Sequence, residues 1–394
     1  MAANRSDQHF DAIVVGVGGM GAAACFHLAR RGYRVLGLEQ FDIPHEYGSS
    51  HGVTRIIRLA YYEDPSYVPL LRRAYELWRD LEAGCGERLL WTTGSVDASD
   101  RDGAVFRESL RSSLQHDLDH EILTSAELTA RFPAYRLPPN HMALFQPDGG
   151  FLLPERCIVA HVTGAQEAGA VIRAREPVRG WDTTRGGVRV ETNKGRYAAD
   201  RLVLAAGAWT GKLAPDLAPL TQPERQVLAW LQPTRPDLFV PARFPVFNLA
   251  VVEGRYYGFP VFAVPGFKFG RYHHRDEPAD PDALDRAPNA ADEAILRQFA
   301  ARYFPEGAGP TMALRPCMFT NTPDEHFILD RLPAAPQVIV ASPCSGHGFK
   351  FCSVVGEILA DLVAHDATRH DIRLFRLDRF AESDRSAAHR DRWA

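Results

Sequence analysis

The first apolar run, Phe10-Asp-Ala-Ile-Val-Val15, is β-branched and nearly continuous, the pattern of a strand buried on both faces. It stops at Gly16. From Ala22 to Arg31 small residues line one side, which predicts a helix closed by Gly32. The segment Tyr33 to Glu39 predicts a second strand, and strand, helix and strand within about 30 residues open a doubly wound sheet. Residues 63–83 carry Val68, Leu70, Leu71, Ala74, Leu77 and Leu81 at helical spacing. From 88 to 150 the pattern changes to short strands and loops. Residues 154–170 predict a helix, followed by strands at Ala170–Arg173, Val188–Glu191 and Arg201–Gly207. Residues 219–320 are strand-rich and dense in aromatics and prolines, with the polar stretch Arg275–Glu293 as an exposed loop. The strand Gln337–Ala341 and the helix Phe351–Ala364 return to the opening pattern.

The α/β segments thus lie at the start, middle and end, with β-rich segments between them. Two interleaved domains fit this better than consecutive ones. One takes 1–88, 151–218 and 322–394, and the other takes 89–150 and 219–321.

Composition narrows the class. Hydrophobic residues are 45% and charged residues 24%, which excludes a disordered or fibrous chain. Lys plus Arg is 45 against 49 Asp plus Glu, a net charge of −4, so nothing points to nucleic acid or an anionic membrane as partner. No stretch approaches the roughly 20 apolar residues of a membrane helix. The six cysteines show no disulfide-framework or zinc spacing, and the polar opening residues 1–9 lack a signal-peptide layout. A soluble cytoplasmic protein is expected, with no metal.

The chemistry begins at Gly16-Val-Gly18-Gly-Met-Gly21, a GxGxxG placed between a predicted strand and a predicted helix. Such glycines let the backbone approach a pyrophosphate, and the helix N-terminus offers unpaired N–H groups to the phosphates. Glu39 closes the next strand, where a carboxylate binds ribose hydroxyls and repels a 2′-phosphate. FAD and NAD both fit this motif.

The motifs that follow separate them. They are Gly48-Ser-Ser-His51-Gly-Val-Thr-Arg55-Ile-Ile-Arg58, Leu204-Ala-Ala-Gly-Ala-Trp209, Arg255-Tyr-Tyr257-Gly-Phe-Pro260, Gly266-Phe-Lys268-Phe-Gly270, Cys317-Met-Phe-Thr-Asn-Thr322 and Ser345-Gly-His-Gly-Phe-Lys350. With them, nearly the whole chain resembles the monomeric sarcosine oxidase and N-methyltryptophan oxidase family, covalent flavoproteins of the wider D-amino-acid-oxidase superfamily. The resemblance implies a Rossmann-type, glutathione-reductase-like FAD-binding domain interleaved with a β-rich antiparallel-sheet substrate domain.

It also implies roles. Cys317 carries FAD through a thioether. Arg315 lies two positions away and would face the same side of an extended segment, where a cation favours thiolate. Lys268 activates oxygen. Arg55 and Lys350 clamp the substrate carboxylate, as the planar fork of Arg suits. His51 and Arg58 surround the flavin, and Tyr257 covers the substrate pocket. Gly346 and Gly348 lead into a helix whose N-terminus favours negative charge on the reduced ring. Two departures stand out: Phe319 replaces a tyrosine, and Tyr272 stands where the family has histidine, leaving Tyr272 or His273 as the flavin-side residue.

The implied reaction is oxidation of a secondary amino acid, such as sarcosine, an N-methyl amino acid or a cyclic imino acid. Hydride transfer to flavin N5 gives an imine, and O2 becomes hydrogen peroxide. The apolar segment Phe259–Pro265 points to a substrate bulkier and less polar than sarcosine, and the protein is expected to be a monomer. The alternatives are a flavin dehydrogenase feeding a quinone or protein acceptor, and an NAD-binding or non-catalytic nucleotide-binding module.

Overall fold

The computed structural model describes residues 8–381, and three β-sheets organise it. Of the polar opening stretch, residues 1–7 lie outside the described residues. The first sheet has eight strands. Its centre is parallel, in the order Val171–Arg173, Val35–Leu38, Gln8–Val15, Arg196–Leu204 and Ala335–Ser342. Burial on both faces explains the continuous apolar pattern. Ala12 and Val14 meet the helices Gly19–Arg30, Val68–Cys85 and Cys352–His365 on one side. Ile13 and Val15 pack on the other side with Val188 and Val190, which belong to the antiparallel ribbon Val178–Thr184 and Gly187–Thr192. In Val68–Cys85 the apolar positions read from the sequence are all buried, and Trp78 joins them. Gly86, at φ +71°, ends that helix in the left-handed conformation.

The second sheet also has eight strands, in the order Thr311–Asn321, Gln222–Leu231, Phe267–Arg271, Gly254–Phe259, Val246–Val251, Ser95–Asp100, His141–Gln146 and Glu121–Thr124. Only Val246–Val251 and Ser95–Asp100 pair in parallel. The period of two sorts its side chains. Tyr256, Phe267, Phe269, Val227 and Ala229 form a core with Leu296 and Phe299 of the helix Ala290–Tyr303. Tyr257, Lys268, Leu228 and Cys317 take the opposite face. A three-stranded sheet of Arg55–Ile57, Gly150–Leu152 and Leu90–Thr92 completes the set.

Two expectations change. Residues 88–150 contain helices at Ala104–Gln115 and Ser125–Arg131. The first buries Val105 and Phe106 in its opening turn but Ser109, Ser112 and Ser113 after it, so its apolar pattern fades beyond one turn. The second is a single short helix started by a capping box of Thr124 and Glu127. The stretch Arg275–Glu293 is not simply an exposed loop. Its end opens the helix Ala290–Tyr303 with an Asn289 cap, and Asp292 is fully buried, 2.8 Å from Arg225 and 3.1 Å from His274. Among the described residues no helix is long and apolar enough to cross a membrane.

Candidate active site

A cavity of about 390 Å³ opens where the parallel strands of the first sheet end, the usual ligand position of a doubly wound fold. It is lined by Gly16, Gly18 and Glu39 at one end and by Arg55, Tyr257, Cys317 and Lys350 at the other.

The glycine end suits a dinucleotide. Gly16 has φ +88°, and a Cβ there would meet the carbonyl oxygen of Ala205 at 2.5 Å. Gly21 is packed beneath the turn rather than on the cavity wall; a Cβ on it would lie 1.8 Å from the oxygen of Gly16. The helix Gly19–Arg30 has no acidic residue in its first turn, and apart from Gly19 N, 3.4 Å from Ser50 Oγ, no side chain takes its first N–H groups, which leaves that end open to an anion. The carboxylate of Glu39 accepts from Val17 N at 2.9 Å and Phe41 N at 3.1 Å, which fixes it at the cavity wall. These residues fit the diphosphate and ribose of FAD.

At the other end the second sheet presents alternate residues. The buried Cys317 pairs across with Gln226 in the strand register. Burial pushes its thiol pKa up, and the positive charges of Arg55 and Lys268 pull against that rise. Arg315, expected to supply the cation, is instead exposed while Cys317 is buried, so the charges come from other strands. Lys268 lies opposite Trp230 and Phe259 in the register, its ammonium 4.1 Å from the Phe259 ring centre. Nζ donates to Gly52 O and Thr54 O, both at 2.7 Å, and to Thr54 Oγ1 at 2.9 Å. Burial, with Arg55 nearby, moves its pKa well below the usual lysine value. Glu155 takes the N–H groups of Gly52 and Val53, so the turn carrying Arg55 is pinned from both sides. Lys268 therefore sits just behind the cavity wall rather than on it.

Arg55 and Lys350 both line the cavity, each held by backbone carbonyls of its own segment. Arg55 donates to Thr54 O and Ser49 O, both at 2.9 Å, and its charge acts on Lys268 and Cys317. The charge that acts most on Lys350 is Arg58. Arg58 is buried, ion-paired to Glu63 at 2.8 Å and to Asp97 at 3.7 Å, and hydrogen-bonded to the carbonyl of Ala60. Lys350 Nζ donates to His347 O at 2.7 Å, and burial lowers its pKa to about 7.

Other sequence-derived residues separate further. Gly346 and Gly348 line the cavity, and the turn Phe349–Phe351 that follows has no side-chain cap and no acidic residue in its first turn. His51 is buried behind the wall with Nε2 unpartnered, and burial lowers its pKa to about 3. Tyr257 lies over Gly270, where a Cβ would strike its hydroxyl at 2.6 Å. Tyr272, not His273, reaches the cavity. His273 turns away, which corrects its expected place among the catalytic residues. The period of two could have shown this, because Tyr272 shares its parity with Lys268 and Gly270. Sequence reasoning also passed over Asn248 and Cys344, which line the cavity. No spacing announces that Glu224, His273 and Asp276 converge within 4.8 Å. There both ring nitrogens of His273 are committed to carboxylates, an ion-pair network.

Residues 11–362 match the family described as DAO, FAD dependent oxidoreductase. The chain belongs to that family. The NAD-binding and non-catalytic alternatives are thereby set aside. A monomeric sarcosine oxidase of Bacillus sp. (strain NS-129) is 42% identical over 379 residues, covering 95% of this chain and 97% of that protein. An N-methyl-L-tryptophan oxidase of Salmonella arizonae is 38% identical, covering 95% of this chain and 100% of that protein. Among solved structures, NikD, an amino acid oxidase essential for nikkomycin biosynthesis, superposes with a TM-score of 0.82 at 27% identity, covering 94% of this chain and 97% of NikD. This DAO-family member is thus an FAD-dependent oxidoreductase with the interleaved Rossmann-type and antiparallel-sheet architecture.

Proposed function

We propose that the protein is an oxidase of secondary amino acids, N-methylated or cyclic, with its FAD joined to Cys317. The observation that carries this reading is one cavity lined both by the GxGxxG turn with Glu39 and by Cys317 with Tyr257 and Lys350. The chemistry supplied by bound FAD is acceptance of a hydride from the carbon beside the amine nitrogen and return of the electrons to dioxygen, giving an imine and hydrogen peroxide. The chain's residues do the rest. Lys350 holds the substrate carboxylate, with Arg58 adding positive potential behind it. Tyr257, Tyr272 and Phe319 pack as an aromatic wall that excludes water and orients the amine, with ring centres of Tyr257 and Tyr272 5.0 Å apart. Arg55 and Lys268 set a positive potential at Cys317. Lys268 is the oxygen-activating residue, because its ammonium, held by the carbonyls of Gly52 and Thr54 against the burial that lowers its pKa, favours the anionic species of oxygen reduction.

The two eight-stranded sheets support residues 1–88, 151–218 and 322–394 as the FAD-binding unit, of which 1–7 and 382–394 lie outside the described residues, and 89–150 and 219–321 as the substrate unit, since each sheet draws its strands from one of these sets. The six thiols, all unpaired, suit a reducing cytoplasm. A monomer is the state proposed, since one chain lines the whole cavity.

The test is oxygen consumption by the purified yellow protein across a panel running from sarcosine to bulky and cyclic N-alkyl amino acids. Uptake with at least one amine is expected, half of it returned by catalase, with bulkier amines preferred. Reduction of a quinone dye without oxygen uptake would instead identify a dehydrogenase. Sarcosine giving the highest kcat/KM would remove the bulky-substrate part.

A further inference from the structure

The turn leaving the strand Phe267–Arg271 carries two residues with opposite destinations. Tyr272 enters the cavity, its ring centre 5.8 Å from Phe319 and 5.0 Å from Tyr257. His273, at φ +49°, turns out of it. Its Nδ1 lies 3.0 Å from Glu224 Oε2, and its Nε2 lies 2.9 Å from Glu325 Oε1. An imidazole with a carboxylate at each nitrogen donates through both, which is the doubly protonated ring. Glu224 is itself held by Gln226 Nε2 at 2.6 Å and Asn321 Nδ2 at 2.7 Å. Glu325 also faces Arg255 at 3.6 Å, and that guanidinium stands 3.9 Å from the ring centre of Tyr272. A left-handed backbone at a non-glycine residue persists only when its surroundings hold it there.

We propose that His273 is a positioning residue for the substrate side of the cavity: its imidazolium fastens the turn to Glu224 and Glu325, and so holds Tyr272 as the wall against which the substrate side chain packs. This rests on the proposed reading of the cavity and deepens it. The charged groups facing His273 are Glu224 on Gln222–Leu231, Glu325 beyond Thr311–Asn321, and Asp276 in its own turn, with Arg255 on Gly254–Phe259 behind Glu325. Burial disfavours charge on the ring, but the two carboxylates outweigh it and raise its pKa to about 9. The clasp's contribution to stability is therefore full below about pH 6.5, the unfolded value, and in the folded enzyme the clasp itself is lost as pH rises through about 9.

The test compares native enzyme with His273→Gln, which loses the charge, and His273→Arg, which keeps it and can reach two carboxylates. With the best amine of the panel, His273→Gln should raise KM about tenfold at pH 7, the effect of losing roughly one hydrogen-bonded ion pair, with kcat within about threefold. His273→Arg should restore KM. Loss of the Lys350 charge near pH 7 is common to all three enzymes, so the readout is a ratio: native KM divided by that of the Arg variant should rise above pH 9, while native KM approaches that of the Gln variant. An unchanged KM in His273→Gln overturns the proposal, as does a native-to-Gln ratio that ignores pH. A fall in kcat alone also overturns it, placing His273 in the chemistry. If the Gln variant fails to fold, the native and Arg profiles decide: a native-to-Arg KM ratio that stays flat as pH rises through 9 overturns the clasp. If the native enzyme oxidises no amine, the functional reading fails separately. A crystal structure of a folded variant lacking the charge, His273→Gln or Glu224→Gln, then decides the clasp, since an unmoved Tyr272 ring contradicts it.

Discussion

Lys350 and Arg58 share one aromatic ring: the Lys350 ammonium lies 5.2 Å from the centre of Tyr61, and the Arg58 guanidinium lies 4.4 Å from it. Two cations on one buried ring are stable only because Glu63 and Asp97 compensate Arg58. Glu63 and Asp97 act on Lys350 too, but among the described residues no carboxylate makes an ion pair with it, and it lines the cavity. That leaves an incoming carboxylate as its counter-ion.

A pH dependence follows. The Lys350 pKa is lowered to about 7, so its charged form predominates below that value and is lost above it. In the native enzyme kcat/KM should fall as pH rises through about 7, because kcat/KM reports the free enzyme. Lys350→Arg should flatten that fall. Lys350→Met should raise KM by roughly 10- to 100-fold, the worth of a charge-assisted hydrogen bond. A native profile flat from pH 6 to 8 contradicts this assignment.

Lys268 should separate the two halves of turnover. Lys268→Met removes a buried charge from behind the cavity wall. Stopped-flow measurement should find reoxidation of the reduced enzyme by oxygen slowed by about 10²- to 10³-fold, the usual effect of losing one preorganised electrostatic group. Anaerobic reduction by substrate should change by only a few-fold. Equal losses in both steps would mean that Lys268 serves only to hold Gly52 and Thr54.

The glycines make a contrast in packing. A Cβ on Gly21 would lie 1.8 Å from the oxygen of Gly16, and backbone cannot yield as a side chain can. Gly21→Ala should cost about 1–3 kcal/mol and lose most bound flavin. Gly32, at φ +85°, has nothing within 4 Å of its would-be Cβ. Gly32→Ala should cost about 1 kcal/mol in conformational strain and keep its flavin. Thermal unfolding and the flavin-to-protein absorbance ratio check both.

Stability towards acid should depend on Asp292. Its pKa is lowered to about 2: burial raises it, and hydrogen bonds from Arg225 and Asn289 overcome that effect. The stabilisation is therefore present above the unfolded value near pH 3.9 and is lost as pH falls through about 2. Asp292→Asn leaves the buried Arg225 with Glu277 at 3.5 Å as its remaining carboxylate and should destabilise by about 1–3 kcal/mol, read by chemical denaturation at pH 7.

Much of this was legible from local patterns. The continuous apolar run at Phe10–Val15, the helix face from Val68 to Leu81 and the glycines from Gly16 to Gly21 are local signals with a physical cause. The Arg58–Glu63–Asp97 group, the meeting of Lys350 and Arg58 on Tyr61 and the His273 contacts with Glu224 and Glu325 all depend on strand order. A linear chain does not show that Thr311–Asn321 lies beside Gln222–Leu231. Arg315 misled for a related reason: parity along a strand sets direction, but a strand that runs out of the core exposes one end of the same face. The helix Ala104–Gln115 was hidden because its buried face passes from Val105 and Phe106 to serines.

The central claim is that the cavity joins a dinucleotide site to a flavin anchored on Cys317. Intact-mass spectrometry of the acid-denatured protein tests it most directly. The predicted result is a mass raised by one FAD less two hydrogens, absent in Cys317→Ser but still present in Cys344→Ser. An unmodified native mass, with flavin released to the acid supernatant, contradicts covalent attachment; a mass gain that persists in Cys317→Ser places the anchor elsewhere.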